Sequence, residues 1–338
     1  MSQPKHLSAD STHPVVGSAF GQPHLPAHWA VAMEPQTASQ HAGQPSVVAE
    51  DGTPAQPIPA TLQARLDRTF SEGIHGLCFS PYLNGQSPGS PISAEQIHAR
   101  MALISPHTRW VRTFSCTDGM ELIPEIAHEH GLKTLVGAWL GTDNEINERE
   151  LEGVIAVARA GHADLVAVGN EVLLREDMDE DALLAYIQRV KDALPGVKVG
   201  YVDAYYLFEL HPRIVQVCDV LMANCYPFWE GCPLEHALTY MQSMYTRTVA
   251  VAQDKPVQRR ETGCPHQGSS FGGAIPSPEG AVRYFVDSLA WSRDVGIDLF
   301  YFSAFDEAWK VGTEGDVGAY WGLWNTNGQP KFSLNPNT

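Results

Sequence analysis

Eight short runs rich in β-forming residues, separated by longer stretches several of which carry helical periodicity, set the tightest limit on what this 338-residue chain can fold into. The runs are "GIHGLCFSPY" (73–82), "TRWVRTFSC" (108–116), "KTLVGAWLG" (133–141), "LVAVGNEVL" (165–173), "KVGYVDAYY" (198–206), "VLMANCYPF" (220–228), "PVQRRETGC" (256–264) and "IDLFYFSAF" (297–305). Between them, "SAEQIHARMALIS" opens with Ser93 and Gln96 at the spacing of a capping box. "DEDALLAYIQRVKDALPG" starts acidic and stops at Pro195-Gly196, which suits a helix dipole and its end. "PLEHALTYMQSMYTRTVAVA" and "PEGAVRYFVDSLAWSRDVG" repeat apolar residues at steps of three and four. Eight strands alternating with helices over about 270 residues predict an α/β fold, a (β/α)8 TIM barrel. The rival, an open doubly wound sheet, uses fewer units and, when it binds nucleotides, a glycine-rich phosphate loop after strand one. "SPYLNGQSPGSP" lacks that spacing.

The pattern starts near Leu66. Residues 1–62 are rich in Pro, Ser, Gln, His and Ala without periodicity and read as a disordered tail or linker, leaving 63–338 as a single catalytic domain. The tail's histidines, His6, His13, His24, His28 and His41, are too irregularly spaced to define a metal site. No basic start followed by an apolar stretch marks a signal peptide, so the chain as written is expected in the cytoplasm, or in the envelope or medium if a targeting segment was removed. No run is long enough for a membrane span. The six cysteines form no C-x-x-C pair and lie in or near apolar runs, so they read as free, buried thiols. The net charge of −17 argues against nucleic acid as a partner, since phosphate binding needs clustered Lys and Arg, and suits a neutral substrate.

In such a barrel the reactive groups stand at the C-terminal ends of the strands. The fourth run ends in Asn170-Glu171, the sixth in Asn224, Tyr226, Phe228 and Trp229, and the seventh in Glu261-Thr262-Gly263. The eighth ends in Asp306, Glu307 and Trp309, while the first and third offer Tyr82 and Trp139. This predicts an acidic mouth lined by aromatic rings. Sugars suit it, because their apolar faces stack on Trp and Tyr and their hydroxyls bond to Asn, Asp and Glu. Two carboxylates about 5 Å apart cleave a glycosidic bond with retention, one attacking the anomeric carbon and the other protonating the leaving oxygen.

The segments "AVGNEVLLR", "ANCYPFWEG", "ETG-P", "FSAFDEAWK" and "YWGLWN", in that order, resemble glycoside hydrolase family 17, the β-1,3-glucanases and glucanosyltransferases, and most of all its bacterial members. The resemblance runs from about Gly73 to Trp324. It implies a retaining enzyme acting on β-1,3-glucan by double displacement, without cofactor or metal. Carried over by position, Glu171 is the expected acid/base and Glu261 the expected nucleophile. Asn170 is expected at the sugar 2-hydroxyl and Tyr226 at the nucleophile. Asp306, Glu307 and Lys310 match the family's acidic eighth-strand segment. They would bind sugar hydroxyls or tune the acid/base, unless Glu307 and Lys310 form only a local ion pair. Tyr82, Trp229, Trp309 and Trp321 are stacking platforms or core filling.

The nucleophile segment departs from the family's pattern. Arg259 and Arg260 precede Glu261, and Cys264 stands where the family has Trp. Alternation sends one of the two arginines into the barrel, where it needs a carboxylate such as Glu171, Asp306 or Glu307. Three outcomes stay open: hydrolysis, transfer to a sugar acceptor, or a glycan-binding barrel with weakened turnover. Endo or exo action, linkage tolerance and oligomeric state are not written in the sequence.

Overall fold

The computed structural model describes residues 58–332 apart from 253, 254 and 256; at 257–260 and 313 it describes the backbone alone. Eight parallel strands close into a barrel in chain order. They are β1 Ile74–Cys78, β2 Thr108–Arg112, β3 Lys133–Ala138, β4 Leu165–Asn170, β5 Val199–Ala204, β6 Val220–Asn224, β7 Val257–Thr262 and β8 Leu299–Tyr301. The ring shuts where Gly76 and Leu77 of β1 pair with Phe300 and Tyr301 of β8. Each strand is shorter than its β-rich run, because the run's last residues leave the ladder to build the mouth.

The strongest helical patterns form as the sequence dictates. Helix Ala94–Ile104 is capped by Ser93, whose side chain accepts from the Gln96 backbone N–H. The reciprocal half of the expected box is absent, since the Gln96 amide donates to Pro81 O at 2.8 Å and Gln86 Oε1 at 2.7 Å. Those bonds pin the loop after β1 instead. Asp179 caps helix Glu180–Ala193 through Ala182 N, and Ser277 caps Pro278–Asp294 through Gly280 N. Leu234–Val251 is the fourth expected helix. Two further helices matter here: Asn144–Arg159, which carries the buried Glu150, and Ala60–Glu72, which lies across the expected tail boundary and packs its Leu62, Leu66 and Phe70 into the core.

Alternation along the strands separates two kinds of core. Leu135, Leu165, Ala167, Val202, Val220, Met222 and Phe300 fill the barrel interior. Between strands and helices lie larger clusters that include Val136, Val166, Val168, Tyr201 and Leu221 on one side and Leu77, Val111, Leu299 and Tyr301 on the other. Burying one such Leu or Val stabilises the fold by about 1.5–3 kcal/mol. All six cysteines are free, five of them buried and Cys264 half-buried.

Candidate active site

At the end of β4 the chain must turn a carboxylate out of an apolar strand. Gly169 makes the turn possible: it sits at φ +86°, and a Cβ there would meet Val172 Cγ2 at 2.9 Å. Glu171 itself takes a left-handed conformation, φ +53°, uncommon for a residue with a side chain. Its backbone N–H donates to Val202 O of β5 at 2.8 Å, and its Oε1 accepts from Asn224 Nδ2 of β6 at 2.7 Å.

Glu261 lies inside β7, next to Asn224 of β6 and Phe300 of β8 in the ladder, and is buried. Among the described residues, three groups hold its carboxylate. Tyr226 Oη donates to Oε1, Cys78 Sγ donates to Oε2 at 2.8 Å, and Arg112 Nη1 pairs with Oε2. Burial pushes the Cys78 thiol up to about 12 and the Tyr226 phenol well above its ordinary value, so both remain protonated donors. The other arm of Arg112 donates to Asn170 Oδ1 at 2.5 Å. Burial lowers the Arg112 guanidinium, while nearby Cys78, Tyr226 and Glu171 oppose that shift. One buried cation from β2 therefore ties the end of β4 to the β7 carboxylate.

The eighth-strand segment splits in two. Glu307 accepts from Trp309 Nε1 at 3.2 Å and pairs with Lys310 at 3.1 Å. Lys310 also reaches Glu314 at 3.6 Å and lies 4.1 Å above the Phe302 ring. Burial works against its charge, but Glu307 and Glu314 outweigh it and hold the ammonium above the usual lysine range. Glu314 was not legible as a site residue. Burial raises its carboxyl, Lys310 opposes this, and Glu307 and Glu171 add to it, which brings a further carboxylate within range of Glu171. Asp306 differs from its neighbour. Its Oδ1 takes Lys331 Nζ at 2.7 Å and Gly322 N at 2.9 Å, which anchors the C-terminal segment and leaves that oxygen no sugar to bind.

The aromatic residues stand in separate groups at different depths. Tyr82 meets Trp309 edge-on, centroids 6.0 Å apart, above Glu307. Trp229 leans on Trp321 at 5.7 Å, and Trp321 stands perpendicular to Tyr226 at 5.6 Å. Trp321 is buried, with an indole N–H that has no partner among the described residues. Trp139 remains 38% exposed, with the Arg175 guanidinium 4.5 Å from one ring face.

The expectation for Arg259 and Arg260 falls on side chains that lie outside the described residues. Among the described residues, the suggested partners contact other groups: Glu171 meets Asn224, Asp306 meets Lys331 and Glu307 meets Lys310. Among the described residues, the cation beside Glu261 is Arg112. Cys264 does not leave the mouth without an indole, because Trp321 packs against Gly263, where a Cβ would come 3.0 Å from the ring and 2.2 Å from Phe302 O. The Cys264 thiol lines an apolar cavity with Phe228, Cys232 and Tyr284, and burial pushes it up to about 12. Among the described residues no cluster of three or more His, Cys, Asp or Glu could hold a metal ion, and no helix is long and apolar enough to cross a membrane.

Comparison with known proteins places these features in context. Residues 76–322 match the model of the BtgE/BtgC glycoside hydrolase domain. The glucan 1,3-beta-glucosidase BGL2 of Candida albicans is 26% identical, over 68% of this chain and 83% of its own length. The glucan 1,3-beta-glucosidase of Arthroderma benhamiae is 28% identical, over 68% and 81% respectively. Among solved structures, a glycoside hydrolase family 17 beta-1,3-glucanosyltransferase from Rhizomucor miehei superposes with a TM-score of 0.70 and 29% identity, over 78% of this chain and 98% of that one. An active-site mutant of the Rhizomucor beta-1,3-glucanosyltransferase is known in complex with laminaritriose. An endo-laminarinase from Formosa shares the fold, with a TM-score of 0.68 at 18% identity, over 78% of this chain and 85% of that one.

Proposed function

The chain belongs to the BtgE/BtgC glycoside hydrolase domain family, within glycoside hydrolase family 17, and from that premise we propose that it cleaves β-1,3-linked glucan with retention of configuration. Glu261 attacks the anomeric carbon and Glu171 protonates the departing oxygen. The observation that carries this reading is the different treatment of the two carboxylates. Glu261 is buried and held by a cation, a phenol and a thiol, which suits a group that must stay ionised and aimed. Glu171 stands on a turn with one amide contact, which suits a group that gives up a proton and takes it back. Asn170, oriented by Arg112, offers its amide to the 2-hydroxyl, a contact that strengthens in the transition state. In the second step Glu171, now a base, activates water or the hydroxyl of an acceptor sugar.

Glu307 and Lys310 offer a carboxylate and an ammonium to hydroxyls on the Tyr82 and Trp309 side. Trp229, backed by the buried Trp321, and Trp139 offer faces for sugar rings. Transfer is the second reading, favoured by the similarity to the Rhizomucor glucanosyltransferase along 98% of that chain.

The test is incubation with a linear β-1,3-gluco-oligosaccharide, with products followed by mass spectrometry and the anomer formed first by NMR. Shorter β-anomers are expected, with products longer than the substrate if transfer operates. Both disappear in Glu261→Gln and Glu171→Gln. Tight oligosaccharide binding without turnover would refute the enzyme reading and select a binding barrel; α-anomers would refute retention.

A further inference from the structure

Beneath the Glu171 turn lies a buried carboxylate that the chemistry above leaves unused. Asp203 of β5 is 0% exposed and Tyr201, two residues earlier, is 1% exposed. Tyr201 packs on the helix side of the barrel, whereas Val202 between them packs in the interior. Tyr201 Oη donates to Asp203 Oδ2 and accepts from Leu173 N at 3.0 Å. The Asp203 carboxylate also accepts from Ala204 N at 2.7 Å and from the Leu174 N–H. With the Glu171 N–H bound to Val202 O, three neighbouring residues of one strand hold the backbone N–H groups of residues 171, 173 and 174. The segment so held is the one that carries Glu171 at φ +53°. A left-handed residue with a side chain is disfavoured, and it persists only where its surroundings impose it.

We propose that Asp203 and Tyr201 are positioning residues that fix the Glu171 turn from below, so that its carboxyl meets the leaving-group oxygen. The inference rests on Glu171 being the acid/base and adds the device that aims it. It also has a pH signature. Burial pushes Asp203 up to about 7, Tyr201 opposing and the charge of Glu171 adding to the rise. The titratable groups facing Asp203 are Tyr201 and Tyr206 from its own segment and Glu171 from the β4 turn, while Arg175 faces Tyr201. Ionisation near neutrality thus alters the strength of the clamp without touching substrate.

The experiment compares the full chain with Asp203→Asn and Tyr201→Phe on two substrates: a β-1,3-gluco-oligosaccharide, whose leaving sugar needs a proton, and a dinitrophenyl β-glucoside of the same linkage, whose leaving group needs none. A misaimed acid lowers kcat/KM on the first substrate by about tenfold and leaves the second within about twofold. In the unmodified protein, kcat/KM on the oligosaccharide inflects near pH 7, and Asp203→Asn loses the inflection. Equal losses on both substrates, no loss, or a pH profile in Asp203→Asn identical to that of the unmodified protein would overturn the proposal. If Asp203→Asn does not fold, Tyr201→Phe carries the substrate comparison with the same outcomes. A Glu171→Gln variant as active as the unmodified protein on the oligosaccharide would instead remove the acid/base reading itself, and this inference with it.

Discussion

Replacing Arg112 by Met tests the link between the two sides of the mouth. The guanidinium makes two charged contacts, one to Glu261 Oε2 and one to Asn170 Oδ1. A hydrogen bond to a charged group contributes about 1.5–3 kcal/mol. Removing both costs about 3–6 kcal/mol, and at about 1.4 kcal/mol per factor of ten kcat/KM falls by roughly 10² to 10⁴. Stability falls as well, because among the described residues Glu261 then keeps only the neutral donors Tyr226 and Cys78. Breaking a buried pair costs about 3–5 kcal/mol, which for a domain of this size is about 6–20 °C in Tm. Arg112→Lys keeps the charge but cannot bridge two acceptors in one plane, so its loss falls between the unmodified protein and Arg112→Met. The assay is kcat/KM on a β-1,3-gluco-oligosaccharide, with circular dichroism to establish folding and the melting curve as the second readout. A folded Arg112→Met with kcat/KM within threefold of the unmodified protein would refute the view that this cation holds the nucleophile.

Three further outcomes follow from buried charge. Lys331→Met leaves Asp306 buried without its ammonium and should lower unfolding free energy by about 3–5 kcal/mol in a denaturant titration, with oligosaccharide KM nearly unchanged. Asp203 holds its proton more tightly folded than unfolded, about 7 against 3.8. Its contribution is therefore fully present below pH 3.8 and lost as pH rises through about 7, so raising pH from 4 to 8 should shift stability toward Asp203→Asn by up to about 4 kcal/mol. Cys78, Cys218, Cys232 and Cys264 are pushed up to about 12 by burial and Cys116 well above its ordinary value, so a thiol reagent at pH 8 should react slowly with the native protein and rapidly with six thiols in denaturant. Rapid reaction of any of these five in the native state would contradict that burial.

The sequence by itself determined the barrel and the positions of its mouth. β-rich runs alternating with helical patterns leave few architectures, and in a parallel barrel each run must deliver its last residues to the same end. That was enough to assign Asn170, Glu171, Tyr226, Glu261 and Glu307 to one end of the barrel, because each directly follows or ends an apolar run. The same reasoning applied to "TRWVR" and "GYVDA" would have singled out Arg112 and Asp203, both charged residues closing apolar strands. Other features had no local signal. Lys331 meets Asp306, and Glu314 meets Lys310, through loops whose course depends on the packing beneath them. Tertiary structure also decided that Arg112 serves Glu261: nothing in the β2 run names its partner, and only closure of the barrel lets the end of β2 reach the β7 carboxylate. A strand's sequence tells which residues share its faces. Which residue of a distant strand lies opposite is set only when the ring closes and the register of every ladder is fixed.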